Sequence, residues 1–419
     1  MKIVLQNLVS IGLVQGISLL IPLILAPFLI NTIGVELFGI ISTAQAIAVV
    51  CSIITEFGFN ITAVRGIASA RGNYNTIHQT VNDVFFLKII LLGVTSIIFL
   101  ILILVVPAYR LYFFIYAGSF FLVIGQAFSP FWFFQGTESI KQTIPATIVF
   151  KFIALAMIML LVKDKADAAY VNLIIGLTNL CSGLLLYRQI YRQFKISFKN
   201  VTFNSLKKEY QHSLVIFLSN VGVVIYSNSN FLILSFFLSP AALGIYSVVD
   251  KIIQVLRTLL IFIHQVTYPR LCNLLQEGDV HARHFLKRIY AVVFTGMFFI
   301  STLLFFFPDF IAGYFIKDKI TLAEAAILLK YVSFLPFIIS INMPFFQSLL
   351  AYKKDWLTVK LFFICALCSI MLNFSITPFL KATGGIITMY VCESLVTVSI
   401  IILYYKLVYV ELKNNNYLK

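Results

Sequence analysis

The sequence has 419 residues, 61% hydrophobic and 11% charged, with a formal charge of +15. Soluble domains carry about 45–50% apolar and about 25% charged residues, so no water-soluble fold could hide this much apolar surface. The basic residues are spread over many short loops rather than gathered on one face with interleaved aromatics, which makes topogenic loop charge the first reading and nucleic acid the weaker one.

Apolar stretches of some 20 residues, each closed by a short polar break, predict twelve membrane spans. They lie at 8–33, 37–59, 82–106, 111–134, 146–162, 168–187, 212–238, 243–267, 288–307, 326–350, 356–376 and 384–405. The first follows Lys2 and is too long for the core of a cleaved signal peptide, so it is read as a retained span. Span 2 ends near Glu56, followed by Phe57-Gly58-Phe59 and Arg65; Glu56 is as readily a topological feature as a functional one. Asp83, Lys88, Lys151, Lys330 and Lys360 lie within a turn or two of a span end and most can snorkel. Lys88 and Lys151 sit deep enough to remain candidate cargo contacts.

Between spans 6 and 7 lies the longest polar interval, too short to bury a core of its own, with six positive charges from Arg188 to Lys208 and one acid, Glu209. It reads as a hinge anchored at anionic headgroups. The chain then divides into a six-helix half at 1–187, a basic cytoplasmic loop at 188–211 and a second six-helix half at 212–419. An even span count puts both termini on one side. Nineteen Lys and Arg fall on that side against six on the other, which places the termini in the cytoplasm. Six cysteines lie within or at the ends of apolar segments, where thiols behave as small hydrophobes; Cys365 and Cys368 have zinc-like spacing but no second pair nearby.

The second half follows the first at an offset of 205 residues. Phe38-Gly39-Ile40-Ile41-Ser42 overlays Leu243-Gly244-Ile245-Tyr246-Ser247, and Gln15 meets Asn220, Gln45 meets Asp250, Arg65 meets Arg270. Halves of even span count share orientation, so their pseudo-symmetry axis runs along the membrane normal and the cleft between them is the expected substrate path. The expected fold is an all-α integral membrane protein of about 12 transmembrane helices, in two pseudo-symmetric six-helix bundles around a central cavity. Span 1 carries Gln15, Pro22 and Pro27, and span 7 carries Ser219, Asn220 and Ser227-Asn228-Ser229-Asn230. Interrupted or polar segments at corresponding places point to a transport site, the alternative being helix packing through small and polar residues.

A charge at mid-bilayer costs about 2.5–3.5 kcal/mol on insertion scales and needs a partner or a wet cavity. Arg257 is the deepest cation, near the middle of span 8. Asp250, Arg257 and His264, spaced by seven, share one helical face, with Lys251 adjacent. The structural alternative for this stripe is an Asp-Arg ion pair that holds helices together. Glu393, the deepest acid, suits either proton exchange or the neutralisation of a cation such as Arg257.

Several segments carry a family resemblance. Gln15-Gly16 with Pro22, Pro27, Gly34 and Phe38-Gly39, then Glu56-Phe57-Gly58-Phe59 with Arg65 and Arg71, resemble the N-terminal half of Wzx-type O-antigen flippases. Trp132-Phe133-Phe134-Gln135-Gly136-Thr137-Glu138 is similar to that family's most recognisable segment, and Leu243 to Ser247 with Asp250-Lys251 and Pro269-Arg270 to its second-half counterparts. The likeness covers nearly the whole chain, with loose motifs partly shared with teichoic acid and multidrug exporters.

The resemblance implies a flippase that moves undecaprenyl-pyrophosphate-linked oligosaccharide repeat units across the bacterial inner membrane by alternating access, coupled to a proton or sodium gradient and using no cofactor. Membrane lipid is its surroundings, and polymerase and chain-length proteins of the same route are its expected partners. An anionic, hydrophilic headgroup needs cations, amides and hydroxyls, for which Arg257, Lys251, Gln15, Asn220, Asn228 and Asn230 are the leading candidates. Glu393, Asp250, Glu56 and His264 are the coupling or charge-pairing candidates. A multidrug or cation antiporter on the same scaffold is the rival function. A membrane enzyme would need a longer extramembrane loop than any here, and Asp164-Lys-Ala-Asp167 reads as a solvated loop.

Overall fold

The computed structural model describes residues 2–70, 73–194, 201–277, 279–352 and 355–409. Within the helices, the side chains of 2–11, 13–15, 194, 219, 223, 226–227, 269, 273, 276–277, 279, 355–356, 359 and 408–409 lie outside the described set. Arg71 and the side chain of Gln15 are therefore not described, nor are the side chains of Ser219, Ser227 and Pro269.

Among the described residues there is no strand. The chain runs through α1 Lys2–Ile33, α2 Val35–Glu56, α3 Phe59–Ser69, α4 Tyr74–Val105, α5 Pro107–Leu111, α6 Phe113–Ala127, α7 Phe131–Gly136, α8 Ile144–Leu161 and α9 Ala168–Phe194. It continues through α10 Phe203–Phe237, α11 Pro240–Glu277, α12 Asp279–Phe306, α13 Pro308–Phe315, α14 Lys319–Val332, α15 Leu335–Ala351 and α16 Asp355–Tyr404. Nine segments of the described chain are long and apolar enough to cross a membrane. One of them, Lys360–Leu407, bends at Lys381, whose φ of 51° breaks the helix after Pro378. Exposed Ile97, Leu100, Ile101 and Leu104 on α4 show how these helices present apolar side chains outward, as hydrocarbon requires.

Two compact units are formed, Met1–Val224 and Ile225–Lys419. Their elements keep the 205-residue register: α2 and α11 begin that far apart, as do α4 and α12. The register is broken in one telling place. After α2, Phe57 (φ 40°) and Gly58 (φ 80°) turn the chain left-handed and start α3, whereas α11 runs on unbroken through Phe262 and Ile263, where no glycine relieves such a turn. Two other predicted spans are also divided, one between α6 and α7 and one between α14 and α15, where Pro130 and Pro336 sit at the restart of the helix.

In the first unit α6 and α9 approach at backbone distance. A Cβ on Gly176 would lie 2.4 Å from the Phe121 carbonyl carbon, and one on Gly183 would lie 2.3 Å from the Phe128 oxygen. Small residues permit such contact where lipid supplies no hydrophobic drive to associate. Asn172, fully buried on α9, ties the same layer: it donates to the Ser119 hydroxyl at 2.7 Å and accepts from Gln45 at 2.8 Å. The Trp132-Phe133-Phe134 run is buried beside α3, and Gly136 lets α7 close onto Ile67, so the segment most characteristic of the family resemblance has a packing role.

The start of α10 belongs to this unit. Phe57 is stacked between Tyr210 at 4.7 Å and Phe217 at 4.5 Å, and Gly58 lies under Ile216 and Phe217. Thr62 shares a 2.7 Å hydrogen bond with Ser213, and Ser205 donates to Asp83 at 2.7 Å. In the second unit α15 packs against α11, α12 and α16, around a cluster that includes Leu349, Cys365, Val396 and Ile400.

Candidate functional site

Each unit holds a cation paired with a carboxylate. In the first, Lys88 of α4 is 2% exposed and lies 3.4 Å from Glu56 Oε1 at the end of α2. The same oxygen accepts from the Gln126 amide at 3.2 Å. A low-dielectric site holds such a charge because its partner is in place, so Lys88 and Glu56 serve each other, and Glu56 is more than a topological marker. Gln126 was not singled out from sequence, since a lone amide before an aromatic run carries no periodic signal.

In the second unit Arg257 Nη2 of α11 donates to Glu393 Oε1 of α16 at 2.8 Å, with side-chain exposures of 22% and 8%. Of the two sequence readings of Glu393, the structure adopts charge neutralisation. The Asp-Arg pair offered as the structural alternative is replaced by this one. Seven residues of helix carry Asp250 about 10 Å along the axis from Arg257, and Asp250 instead accepts from Gln254, one turn on, at 2.8 Å. Lys251 is half-buried beside it.

His264 lies toward the far end of α11, with its ring stacked on Tyr268 at 5.7 Å and tilted against Phe346 at 5.7 Å. Its carbonyl accepts from Gln347 at 2.9 Å, and the same amide donates to Thr267 at 2.7 Å. The geometry gives His264 a packing role between α11 and α15. Gln347, fully buried, escaped sequence reading because it lies in an otherwise ordinary apolar span.

Span 7 divides its polar residues between fates. Asn220 and Asn228 are half-buried on α10. Asn230 is 5% exposed and donates to the Tyr246 hydroxyl at 2.6 Å, and Ser229 lies 3.4 Å from Ser369 of α16. Asn230 and Ser229 thus join helices of the second unit.

Lys151 is different. Its ammonium donates to the Ser18 hydroxyl of α1, a neutral partner. Pro22 lies four residues beyond Ser18 inside α1 and, as a proline, brings no backbone N–H to that turn. The cation thus sits on α1 one turn before its first internal proline. Sequence reading found Lys151 by depth and the prolines by their type; that α1 and α8 bring them together is visible only in the fold. Among the described residues no group of three or more His, Cys, Asp or Glu side chains is placed to hold a metal ion.

The chain matches the family described as "Polysaccharide biosynthesis protein" over residues 4–275 and that described as MatE over 216–375. Among curated proteins it is 28% identical over 94% of both chains to an Escherichia coli (strain K12) protein described as "Putative O-antigen transporter". A Shigella dysenteriae protein of the same description is 25% identical, covering 93% of this chain and 97% of its own. Among solved structures, an inward-facing multidrug resistance MATE family transporter of the MOP superfamily aligns with a TM-score of 0.72 at 12% identity, over 95% of this chain and 99% of its own. The lipid II flippase MurJ in an inward closed conformation aligns at 0.70 and 12% identity, over 93% and 86%. At such identities the structural likeness speaks for the fold.

Proposed function

Because the chain belongs to the polysaccharide biosynthesis protein family, we propose that it is a transporter, not an enzyme, that carries undecaprenyl-pyrophosphate-linked oligosaccharide units across the bacterial inner membrane. Its two relatives that match over most of both chains are described as O-antigen transporters. The observation in the fold that carries the reading is Lys151, a cation among apolar helices whose partner is a hydroxyl rather than a carboxylate. A pyrophosphate supplies the anion such a site would bind, while the polyprenyl tail stays in lipid. Both termini are placed in the cytoplasm by loop charge.

Arg257, considered by itself in the second unit, would meet phosphate in a different way. Its guanidinium is already paired with Glu393, so cargo phosphate would replace the carboxylate. Glu393 would then be left among apolar groups without its counter-ion, so the cargo-bound and cargo-free states differ at a buried charge. An ion gradient drives the cycle only through such a difference between states.

The test is restoration of surface polysaccharide in a strain that lacks its own exporter. The native chain restores it; Lys151→Gln and Arg257→Ala abolish it at equal membrane abundance, and Lys151→Arg and Arg257→Lys keep part. Export at the native rate by both neutral variants would overturn the cargo assignment. Drug resistance on expression with no change in surface polysaccharide would establish the antiporter reading in its place. Glu393→Gln is expected to export independently of the proton gradient, and full gradient dependence in that variant would remove Glu393 from coupling.

A further inference from the structure

We propose that the first turns of α12 form a docking surface for anionic phospholipid headgroups. His281, His284, Lys287 and Arg288 are all exposed there. Ala282, Leu286 and Tyr290 are buried, at 2%, 8% and 6%. At 100° per residue the four basic side chains span an arc of about 120°, opposite the buried stripe.

Their depth suits phosphate. From Ile289 to Phe306 the helix carries no charged residue, and at about 1.5 Å per residue this stretch spans roughly 27 Å, close to the hydrocarbon thickness of a bilayer. Lys287 and Arg288 therefore fall at the hydrocarbon edge, where lipid phosphates lie, and His284 and His281 one to two turns further into the headgroup layer.

The internal repeat supplies an independent contrast. The residues 205 positions earlier are Thr76, Gln79, Asn82 and Asp83, none of them a cation at neutral pH. Thr76 and Gln79 are exposed there too, but at the deeper end protein is the cover, since Asn82 and Asp83 are 2% and 5% exposed and Asp83 accepts from Ser205 at the start of α10. Where the first unit has a buried amide and acid, Asn82 and Asp83, the second has an exposed lysine and arginine, Lys287 and Arg288. Topogenic charge alone requires no common face and no fixed depth. Two adjacent cations at phosphate level, Lys287 and Arg288, are complementary to an anionic headgroup, and each Lys or Arg near a charged bilayer contributes about fivefold in affinity, the equivalent of about 1 kcal/mol. On the topology proposed above, the leaflet concerned is the cytoplasmic one.

The experiment uses the purified full chain in neutral detergent, titrated with phosphatidylglycerol or phosphatidylcholine, with retained lipid counted by native mass spectrometry. The native chain is expected to retain phosphatidylglycerol in preference. Lys287→Gln with Arg288→Gln should lower that affinity ten- to thirtyfold, each single change about fivefold, while Lys287→Arg leaves it unchanged. Lys163→Gln with Lys165→Gln, exposed just before α9, should have no effect. Equal retention of both lipids, or a double variant within twofold of native, overturns the proposal. So does displacement of the lipid by millimolar inorganic phosphate, which would mark a free-anion site. A tenfold gain in phosphatidylglycerol affinity on removal of residues 410–419 would make the chain's own C-terminal segment the occupant and likewise refute it. Should the double variant fail to elute as a single folded species, the single changes decide.

Discussion

Consider the removal of each partner of the Arg257–Glu393 pair in turn. Exposed ion pairs contribute about 0.2–1 kcal/mol, whereas breaking a buried one costs about 3–5 kcal/mol because a charge is stranded. The two partners differ in exposure, 22% for Arg257 and 8% for Glu393, so the two losses should differ. Arg257→Gln strands the more buried carboxylate and should cost about 3 kcal/mol, near the buried limit. Glu393→Gln leaves a guanidinium that water can partly reach and should cost about 1–2 kcal/mol, between the two limits. The double variant, with no charge left over, should cost no more than Glu393→Gln, which gives a coupling energy of at least about 3 kcal/mol in a double-mutant cycle. Unfolding free energies in mixed detergent micelles supply the four corners of that cycle. A coupling below about 0.5 kcal/mol, or an Arg257→Gln loss no larger than that of Glu393→Gln, would refute the argument that burial of the pair sets its energy.

Gly176→Ala places a Cβ 2.4 Å from the Phe121 carbonyl carbon and 2.7 Å from the Leu122 nitrogen, both backbone atoms that cannot yield as a side chain can. It should destabilise the first unit by about 1–3 kcal/mol, the usual penalty for overpacking, while Gly93→Ala, with open space around it, should be neutral in the same thermal unfolding assay. Glu209, which precedes span 7, has its carboxyl held above the ordinary range by burial, with a further push from Asp83 that His212 opposes. An acid whose folded-state value is raised favours the folded state at low pH and loses that advantage as pH rises through the raised value. Glu209→Gln should therefore strengthen the packing of α10 on α3 at neutral pH and leave it unchanged at pH 4, read as protease resistance of the 201–217 stretch. A gain at pH 4 as large as at pH 7 would show that charge is not the cause.

Composition and periodicity made the class of protein and the position of most spans legible, because a helix in hydrocarbon must satisfy its own backbone and present apolar side chains over a fixed length. The 205-residue register was legible for the same reason, and the starts of α2, α4, α11 and α12 keep it. Depth along a span also marked Arg257 and Glu393, since a charge far from either end of an apolar run stands out in one dimension, and Lys151 more weakly, a turn or two from its span end. Partners did not stand out. Arg257 could have met Asp250 on its own helix or a carboxylate 136 residues away, and only the packing of α11 against α16 chose Glu393. Lys88 found Glu56, Lys151 found Ser18 and Asn230 found Tyr246 in the same manner. Sequence thus determined which groups carry charge into the membrane, because that cost is local to one helix. Tertiary structure decided which charges are paired with a carboxylate and which rest on a neutral hydroxyl, because an ion pair depends on a distance of a few ångströms between helices that no single-chain period encodes.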